Sequence, residues 1–215
     1  MLFGIDVSHY QDWIDWQKVR TSGVRFAFIK ATEGTEFTDP MFAENMRAAA
    51  EAGIVTGTYH FFQPRCDPLA QARHYITTLQ ELGGSHPTLP PCIDLETPGL
   101  GKTGLNQAVK VFLEEIFKLT GRTGIIYTSP GFWNSYLPLP IVSSSRLVRS
   151  GVDWAADYPL WVAHYTSGWP FQVYPWAGWA FWQHSSSGKI AGITTRVDLD
   201  TFSGTAEDLA GLVEA

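Results

Sequence analysis

The 215-residue sequence has few cysteines, few charged residues and no long hydrophobic run. Its two cysteines, Cys66 and Cys92, match neither a metal-binding spacing nor a redox motif, and we expect two free thiols. No apolar stretch approaches the ~18 residues that a membrane-spanning helix needs, so no membrane partner is expected. Met1 leads directly into what reads as a core strand, and we recognise no signal peptide.

Charge is also scarce, because only 17% of the residues are charged and the formal net charge is −6. Sequence-independent binding of nucleic acid needs Lys and Arg to neutralise phosphates, so no nucleic-acid partner is expected. Apolar residues are abundant instead, at 45%, and nine Trp and eight Tyr raise the aromatic content. This composition supports a sizeable core in one domain, residues 1–215, and we expect a monomer. Some of the aromatic rings are expected to line a cleft and to stack on flat sugar faces.

Short apolar segments alternate with amphipathic ones along the first 130 residues. Glycines directly after the helical segments, as at Gly53 and Gly121, are typical of helix ends. The alternation predicts parallel strands joined by right-handed crossovers. The predicted strands of the whole chain are Leu2–Val7, Phe26–Ala31, Val55–Phe62, Cys92–Glu96, Gly124–Thr128, Leu160–Tyr165, Ala180–His184 and Arg196–Leu199. The predicted helices are Ile14–Thr21, Met41–Ala52, Pro68–Leu82, Leu105–Leu119 and Gly204–Val213.

The pattern changes after residue 130, where Pro, Gly, Ser and Trp fill the gaps between apolar segments. A helical crossover needs a dozen or more residues, and the short Gly/Ser-rich stretch Ser185–Thr195 favours a hairpin or loop. We therefore predict an α/β fold, namely an irregular TIM-like β/α barrel of eight strands. Fewer outer helices are expected in its C-terminal third.

Carboxylates mark the expected active site, which in a β/α barrel lies at the C-terminal ends of the strands. Like charges crowded at one rim cost stability, so such a cluster indicates function. Two of these acids could have simpler roles, since Asp6 could cap a turn and Glu33 could be a solvated loop acid. We assign Asp200 a structural role. Four predicted strand ends deliver acids to this rim, namely Asp6, Glu33, the pair Asp94 and Glu96, and Asp198.

Asp94 and Glu96 are the most informative pair because residues i and i+2 of a strand face the same side, about 6.6 Å apart along the chain. Two neighbouring carboxyls do not both ionise easily, so the pKa of one is expected to rise. A carboxylic acid that stays protonated near neutral pH suits a general acid for glycosidic cleavage. The alternative is a structural pair that binds a cation such as Lys30.

Other side chains at the same rim are candidates for substrate binding: Tyr59, Tyr127, Trp161, His164, Tyr165 and Gln183. We also expect His9, His60, His164 and His184 to gather there. Because no His-x-His or His-Glu-x-x-His motif occurs, we predict no metal and no cofactor. The histidines are expected to hydrogen bond to a sugar or to the carboxylates.

In combination and order, these motifs resemble the family-25 glycoside hydrolases, which are lysozymes of the N-acetylmuramidase type. The resemblance extends from Phe3 to about Phe202. It rests on the segments Gly4–Gln11, Phe28–Gly34, Gly57–Phe61, Ile93–Glu96, Tyr127–Thr128, Leu160–Ala163, Trp182–Gln183 and Val197–Asp198.

The resemblance implies an irregular β/α barrel that cleaves the β-1,4 bond between N-acetylmuramic acid and N-acetylglucosamine in bacterial peptidoglycan. Glu96 matches the general acid and Asp94 the second catalytic carboxylate. Asp6 and Asp198 match a supporting pair, while Glu33 and Tyr59 match substrate-contacting positions.

Two other functions stay open at this point, and a third is disfavoured by its missing motif. A non-catalytic wall-binding module would bind without releasing reducing ends. A metal-dependent peptidoglycan amidase or deacetylase would use the rim histidines. A chitinase-like barrel would carry an Asp-x-x-Asp-x-Asp-x-Glu motif, which is absent. We expect the chain to act on the bacterial cell wall, released by lysis as a phage endolysin or secreted and processed.

Overall fold

The computed structural model describes residues 1–84, 88–137, 139–143 and 146–214, with only the backbone for 139–143, 146–150 and 214. Its strands are β1 (Leu2–Val7), β2 (Phe26–Glu33), β3 (Phe37–Thr38), β4 (Val55–Phe61), β5 (Cys92–Asp94), β6 (Ile125–Thr128), β7 (Leu139–Ser143), β8 (Arg146–Ser150), β9 (Leu160–Ala163), β10 (Phe181–Gly188) and β11 (Val197–Phe202).

Eight of these strands close into a barrel in the order β1-β2-β4-β5-β6-β9-β10-β11, and β11 pairs back with β1. The two-residue strand β3 extends β2 antiparallel outside the ring. Strands β7 and β8 form a separate hairpin. The predicted irregular barrel of eight strands is thus confirmed.

Six α-helices occur among the described residues: α1 (Trp16–Thr21), α2 (Phe42–Glu51), α3 (Pro68–Leu82), α4 (Lys102–Thr120), α5 (Pro130–Tyr136) and α6 (Ala206–Glu214). Capping residues explain where these helices begin and end. Asp67 caps α3 by accepting from the Leu69 amide, and Pro68 occupies the first turn, where no amide donor is needed. Gly121 ends α4 in a left-handed conformation with φ of 72°. None of these helices is both long and apolar enough to span a membrane.

The last third of the barrel has few helices, as predicted. Residues 164–180, all of which the structure describes, connect β9 to β10 without a helix. The short connection from Gly188 to Val197 reverses the chain, so β11 runs antiparallel to both β10 and β1. Asp198 therefore reaches the rim at the C-terminal ends of the parallel strands from the start of its own strand, and not from the end as we predicted.

Several boundaries differ from the prediction. Strand β5 ends at Asp94, two residues before Glu96, although the Leu95 amide still donates to Tyr127 O. Strand β10 continues to Gly188, into the segment that we predicted as a hairpin or loop. The elements β3, α5, β7 and β8 were not predicted from the sequence.

Two apolar layers hold the barrel, one outside the sheet beneath the helices and one inside it. The interior layer is aromatic: Phe28 stacks on Trp161 at 4.2 Å and meets Phe181 edge-on at 5.0 Å. Glycine makes room for these rings. A Cβ on Gly4 would lie 2.3 Å from Phe26 Cζ, and a Cβ on Gly57 would lie 2.6 Å from Phe28 Cδ1. The aromatic layer fills the lower barrel and leaves the cleft at the other end.

Candidate active site

The barrel interior changes from apolar to polar within two residues along its strands. On β2, Phe28 is followed by Lys30 on the same face, and on β5 Cys92 is followed by Asp94. The result is a cleft of about 290 Å³ at the C-terminal ends of the parallel strands. Nine of the eleven predicted site residues line it: Asp6, Tyr59, Asp94, Glu96, Tyr127, Trp161, Tyr165, Gln183 and Asp198.

Asp94 and Glu96 both line the cleft but differ in exposure. Asp94 is 7% exposed, and its buried Oδ1 has no hydrogen-bond partner among the described residues. Glu96 lies beyond the strand end and is exposed. Asp94 is thus a buried carboxyl at the floor of the cleft, and Glu96 is the one that reaches into it.

The pKa values of this pair are raised. Burial raises the pKa of Asp94 well above its ordinary value, and the Glu96 charge raises it further. Partial desolvation of Glu96 in the cleft raises its pKa, with a contribution from Asp198. Lys30 opposes both shifts. The expected elevated pKa is present, with the stronger rise at Asp94 because it is the more deeply buried of the two.

Lys30 lines the cleft and is 7% exposed. Its ammonium lies 2.7 Å from Glu33 Oε2 and 4.8 Å from the centre of the Phe61 ring. Lys30 therefore forms its ion pair with Glu33, so Asp94 and Glu96 are not a structural pair bound by Lys30. From the sequence, Lys30 was named only as that structural partner.

Asp6 and Asp198 face each other directly across the β1–β11 ladder. Gln183 Nε2 donates to Asp6 Oδ2 at 2.7 Å. The side-chain oxygen of Gln183, Oε1, accepts from the Tyr127 hydroxyl at 3.0 Å and from the Tyr165 hydroxyl at 2.8 Å. Four predicted residues therefore form one hydrogen-bonded network beside Asp198.

Burial also raises the pKa of Asp6 well above its ordinary value, with Asp200 and Asp198 adding to the rise. Desolvation raises the pKa of Asp198 as well. The three aspartates are close enough to form carboxyl–carboxyl hydrogen bonds through Asp6. The cluster cannot hold three full charges without a large cost.

Asp200 belongs to this cluster although we expected only a structural role for it. It is fully buried inside the barrel, and its Oδ1 accepts the Trp161 indole N–H at 2.8 Å. The signal that could have identified it is its spacing, since Asp198 and Asp200 are i and i+2 on one strand face.

Two predicted residues, Glu33 and His164, are not among those that line the cleft. Glu33 binds Lys30 and accepts from Gln63 Nε2 at 2.9 Å. His164 packs on Phe171 at 4.5 Å, and its Nδ1 accepts the Phe171 amide. Glu33 is thus connected to the cleft through Lys30, whereas the contacts of His164 are with Phe171.

The aromatic candidates divide between the floor and the wall of the cleft. Trp161 is 1% exposed and stacked on Phe28, so it belongs to the floor of the cleft. Tyr165 is 56% exposed at the wall. Tyr10, which was not selected from the sequence, lines the cleft and exposes 72% of its surface.

The four histidines do not gather at the rim. His60 is fully buried outside the sheet, where its ring contacts Thr32 Oγ1 and Gln71 Oε1. Our expectation was wrong because Tyr59 faces inward, so the next residue of β4 must face the helices. His9 binds Asp39 at 2.7 Å. Within the described ranges, no group of three His, Cys, Asp or Glu side chains is placed to hold a metal.

Cys66 and Cys92 are free thiols, as predicted. Cys66 lies in the loop after β4, while Cys92 is buried in the barrel interior.

Comparison with known proteins identifies the family. A family model described as glycosyl hydrolases family 25 matches residues 5–193. The chain is 37% identical to the uncharacterized protein YegX of Escherichia coli O6:H1, over 99% of this chain and 74% of that protein. It is 35% identical to Lysozyme M1 of Streptomyces globisporus, over 97% of this chain and 70% of that protein.

The fold is also similar to a solved structure, the bacterial lysozyme from Streptomyces coelicolor. The TM-score is 0.86 and the sequence identity is 34%, over 99% of this chain and 96% of that one. Because the family model spans most of the barrel and the cleft, the chain belongs to family 25 of the glycosyl hydrolases and is a glycoside hydrolase.

Proposed function

We propose that this glycoside hydrolase is a lysozyme that cleaves the β-1,4 bond between N-acetylmuramic acid and N-acetylglucosamine in peptidoglycan. The observation that carries the proposal is the pair Asp94 and Glu96 in one cleft, each with a raised pKa. The names of two relatives support it, Lysozyme M1 and the lysozyme from Streptomyces coelicolor.

Exposure distinguishes the roles of the two carboxyls. A general acid must reach the bridging oxygen of the glycan, and Glu96 is the carboxyl exposed to the cleft. A sugar that covers Glu96 removes water from it and favours its protonated form. Glu96 then donates its proton to the leaving oxygen as the bond to the anomeric carbon breaks.

Asp94 is the second carboxylate, and it contacts the substrate from the floor of the cleft. Its buried Oδ1 has no donor among the described residues, so it is free to accept the N–H of the substrate's acetamido group. In the proposed mechanism the acetyl oxygen attacks the anomeric carbon, and Asp94 holds the acetamido group in line. Water then opens the cyclic intermediate and gives its proton to the Glu96 carboxylate.

The remaining cleft residues support these two. The network of Asp6, Gln183, Tyr127 and Tyr165 places polar groups around the sugar, with Asp198 beside Asp6. Tyr59 also lines the cleft, and its ring packs edge-on against Trp161 with the ring centres 6.3 Å apart. Glu33 acts through Lys30, whose charge lies close to both catalytic carboxyls.

The site of action in this proposal is the bacterial cell wall. Residues 1–215 act as one catalytic domain and as a monomer, without a metal or cofactor. The two routes of release that we considered, phage lysis and secretion, both stay predictions.

The test compares wall lysis by Glu96→Gln with lysis by the wild type. The amide keeps the shape of the side chain but has no proton to donate, so the rate should fall by roughly 10²- to 10⁴-fold. Glu96 is exposed, and its replacement should change the free energy of unfolding by no more than about 0.5 kcal/mol.

Glu114→Gln is the matched control, since Glu114 is an exposed acid on α4 away from the cleft. It should retain wild-type activity. Near-normal turnover by Glu96→Gln would rule out Glu96 as the general acid.

A further inference from the structure

Tyr10 is an exposed aromatic side chain at the edge of the cleft. It lines the cleft, yet 72% of its surface is accessible to water. One side of its ring lies against His9, because the two ring centres are 4.2 Å apart with the planes tilted by 37°. The exposure of the residue leaves the opposite face of the ring open. A ligand that covers this face removes apolar surface from water, which favours binding.

The segment that carries Tyr10 is a one-turn 3₁₀ helix that is held at both ends. The Ser8 amide donates to Gln11 Oε1 at 2.9 Å. Gln11 Nε2 donates to Arg196 O at 3.0 Å, which joins the turn to the residue that precedes β11. Tyr10 is therefore presented by a turn that is bound to the barrel, and not by a free loop.

A second connection joins this turn to the segment after β3. The His9 amide donates to Asp39 Oδ2 at 3.0 Å, and His9 Nδ1 lies 2.7 Å from the same oxygen. Asp12, which directly follows the turn, is the one described residue other than glycine with a positive φ, of 51°. Such a conformation is unfavourable and persists where the surrounding contacts impose it. The backbone of Tyr10 is thus ordered before a ligand binds, so little conformational entropy is lost on binding.

Tyr10 and the carboxyl pair border different sides of the cleft. Tyr10 follows β1, whereas Asp94 ends β5 and Glu96 comes two residues later. In the ring of strands, β2 and β4 lie between β1 and β5. Three strand-to-strand spacings of about 4.8 Å each therefore separate the two sides along the ring. A glycan that reaches both sides must extend across the cleft by more than one sugar.

We propose that Tyr10 is a substrate-binding residue whose open face stacks on a sugar of the glycan strand other than the one that Asp94 holds. The identity of this sugar chain rests on the proposed function. A pyranose ring presents C–H groups on its flat faces, and these pack on an aromatic ring without requiring a charge. Tyr10 contributes such an apolar surface to a cleft that is otherwise lined largely by carboxyls, Lys30 and amide groups.

Binding of a glycan that is not cleaved tests this role. The probe is a peptide-free hexasaccharide of alternating N-acetylglucosamine and N-acetylmuramic acid, titrated by calorimetry into Glu96→Gln. Adding Tyr10→Ala to this variant should raise the Kd by about tenfold, because the stacked ring is lost. Tyr10→Phe keeps the ring and should stay within about twofold of Glu96→Gln alone.

Trp13→Ala is the matched control in the same background. Trp13 is 66% exposed, follows Tyr10 by three residues, and is not among the residues that line the cleft. Its replacement should leave the Kd unchanged. Because Tyr10 and Trp13 are both exposed, neither substitution should change the free energy of unfolding by more than about 0.5 kcal/mol.

Kinetics of the otherwise wild-type enzyme provide a second readout. A ring that holds a sugar away from the reacting bond contributes equally before and during bond cleavage, so Tyr10→Ala should raise KM and leave kcat within about threefold. A loss confined to kcat would overturn the stacking role.

The outcomes separate this inference from the proposed function. If Glu96→Gln binds the hexasaccharide equally well with and without Tyr10→Ala, the inference is wrong and the proposed function stands. If the hexasaccharide does not bind to Glu96→Gln at all, the proposed function is contradicted and the inference with it.

Discussion

Gln183 donates to Asp6 over 2.7 Å while its carbonyl accepts two tyrosine hydroxyls, from Tyr127 and Tyr165. A hydroxyl that donates requires an acceptor, so the two tyrosines fix which end of the Gln183 amide faces Asp6. Burial raises the pKa of Asp6, and the hydrogen bond from Gln183 opposes that rise. The relationship between these two residues therefore controls the charge at one side of the cleft.

Replacing Gln183 by leucine should lower kcat by roughly 10- to 100-fold, because Asp6 and the two tyrosine hydroxyls lose their partner and a buried polar group left unpaired costs about 1–3 kcal/mol. The loss should appear in kcat measured on purified peptidoglycan. Gln107→Leu, at an exposed position on α4, is the matched control and should leave the rate unchanged. A Gln183→Leu variant within threefold of the wild type would show that the network around Asp6 has no part in turnover.

Removing the Lys30 charge should move the pH–rate profile to higher pH. Burial raises the pKa of both Asp94 and Glu96, and Lys30 holds both values down. In Lys30→Met both values should therefore increase. Because the two carboxyls titrate as a coupled pair, both limbs of the profile of kcat/KM should shift upward together.

Lys30→Arg keeps the positive charge and is the control for this shift. Its two limbs should stay close to those of the wild type. Limbs that stay in place in Lys30→Met, or that move to lower pH, would show that Lys30 does not set the protonation of the pair.

The sequence was sufficient to predict which acids meet at the rim. Asp6, Asp94 and Glu96 follow apolar strand segments, and the ends of parallel strands share one edge of a barrel. Alternation along a strand then assigns these side chains to the inner face. Applied to His60, the same alternation would have placed it outside, since it follows the inward-facing Tyr59.

Other features depend on the register between strands, which a single sequence does not specify. The pairing of Asp6 with Asp198 requires β11 to run antiparallel, and an irregularity in β10 aligns Gln183 with Asp200. The burial of Asp200 depends on this alignment and on the Trp161 indole from a third strand. The i and i+2 spacing of Asp198 and Asp200 could have placed both side chains on the inner face, but it could not have shown the hydrogen bond from Trp161.

Acid should weaken the fold through His60. Burial lowers the pKa of His60 to about 3. Below the ordinary pKa of about 6.5 the unfolded state takes up a proton that the folded state does not, so stability is lost as the pH falls.

The comparison is with His60→Gln, which does not titrate in this range. The free energy of unfolding of His60→Gln minus that of the wild type should increase as the pH falls, by up to ~1.4 kcal/mol per pH unit between about pH 6 and 4. Denaturant unfolding at several pH values measures this difference, and the values above pH 7 provide the internal baseline. Parallel curves for the two proteins would mean that folding does not lower the pKa of His60.

Gly4 should not tolerate a larger side chain. A Cβ there would lie within 2.5 Å of three atoms of the Phe26 ring, which is packed inside the barrel. Gly4→Ala should therefore lower the free energy of unfolding by about 1–3 kcal/mol. The control is Gly211→Ala in α6, where a Cβ would meet open space. Because glycine destabilises a helix interior, this substitution should stabilise the protein by roughly 0.5–1 kcal/mol. Equal stability of the two variants would contradict the packing described for β1.

The identity of the new ends in digested peptidoglycan tests the central claim most directly. Mass spectrometry of the products, after reduction of their free ends, shows which sugar carries the reducing end. The proposed lysozyme activity predicts N-acetylmuramic acid at these ends, and no such products from Glu96→Gln. Reducing N-acetylglucosamine, or released peptides with intact glycan strands, would contradict it.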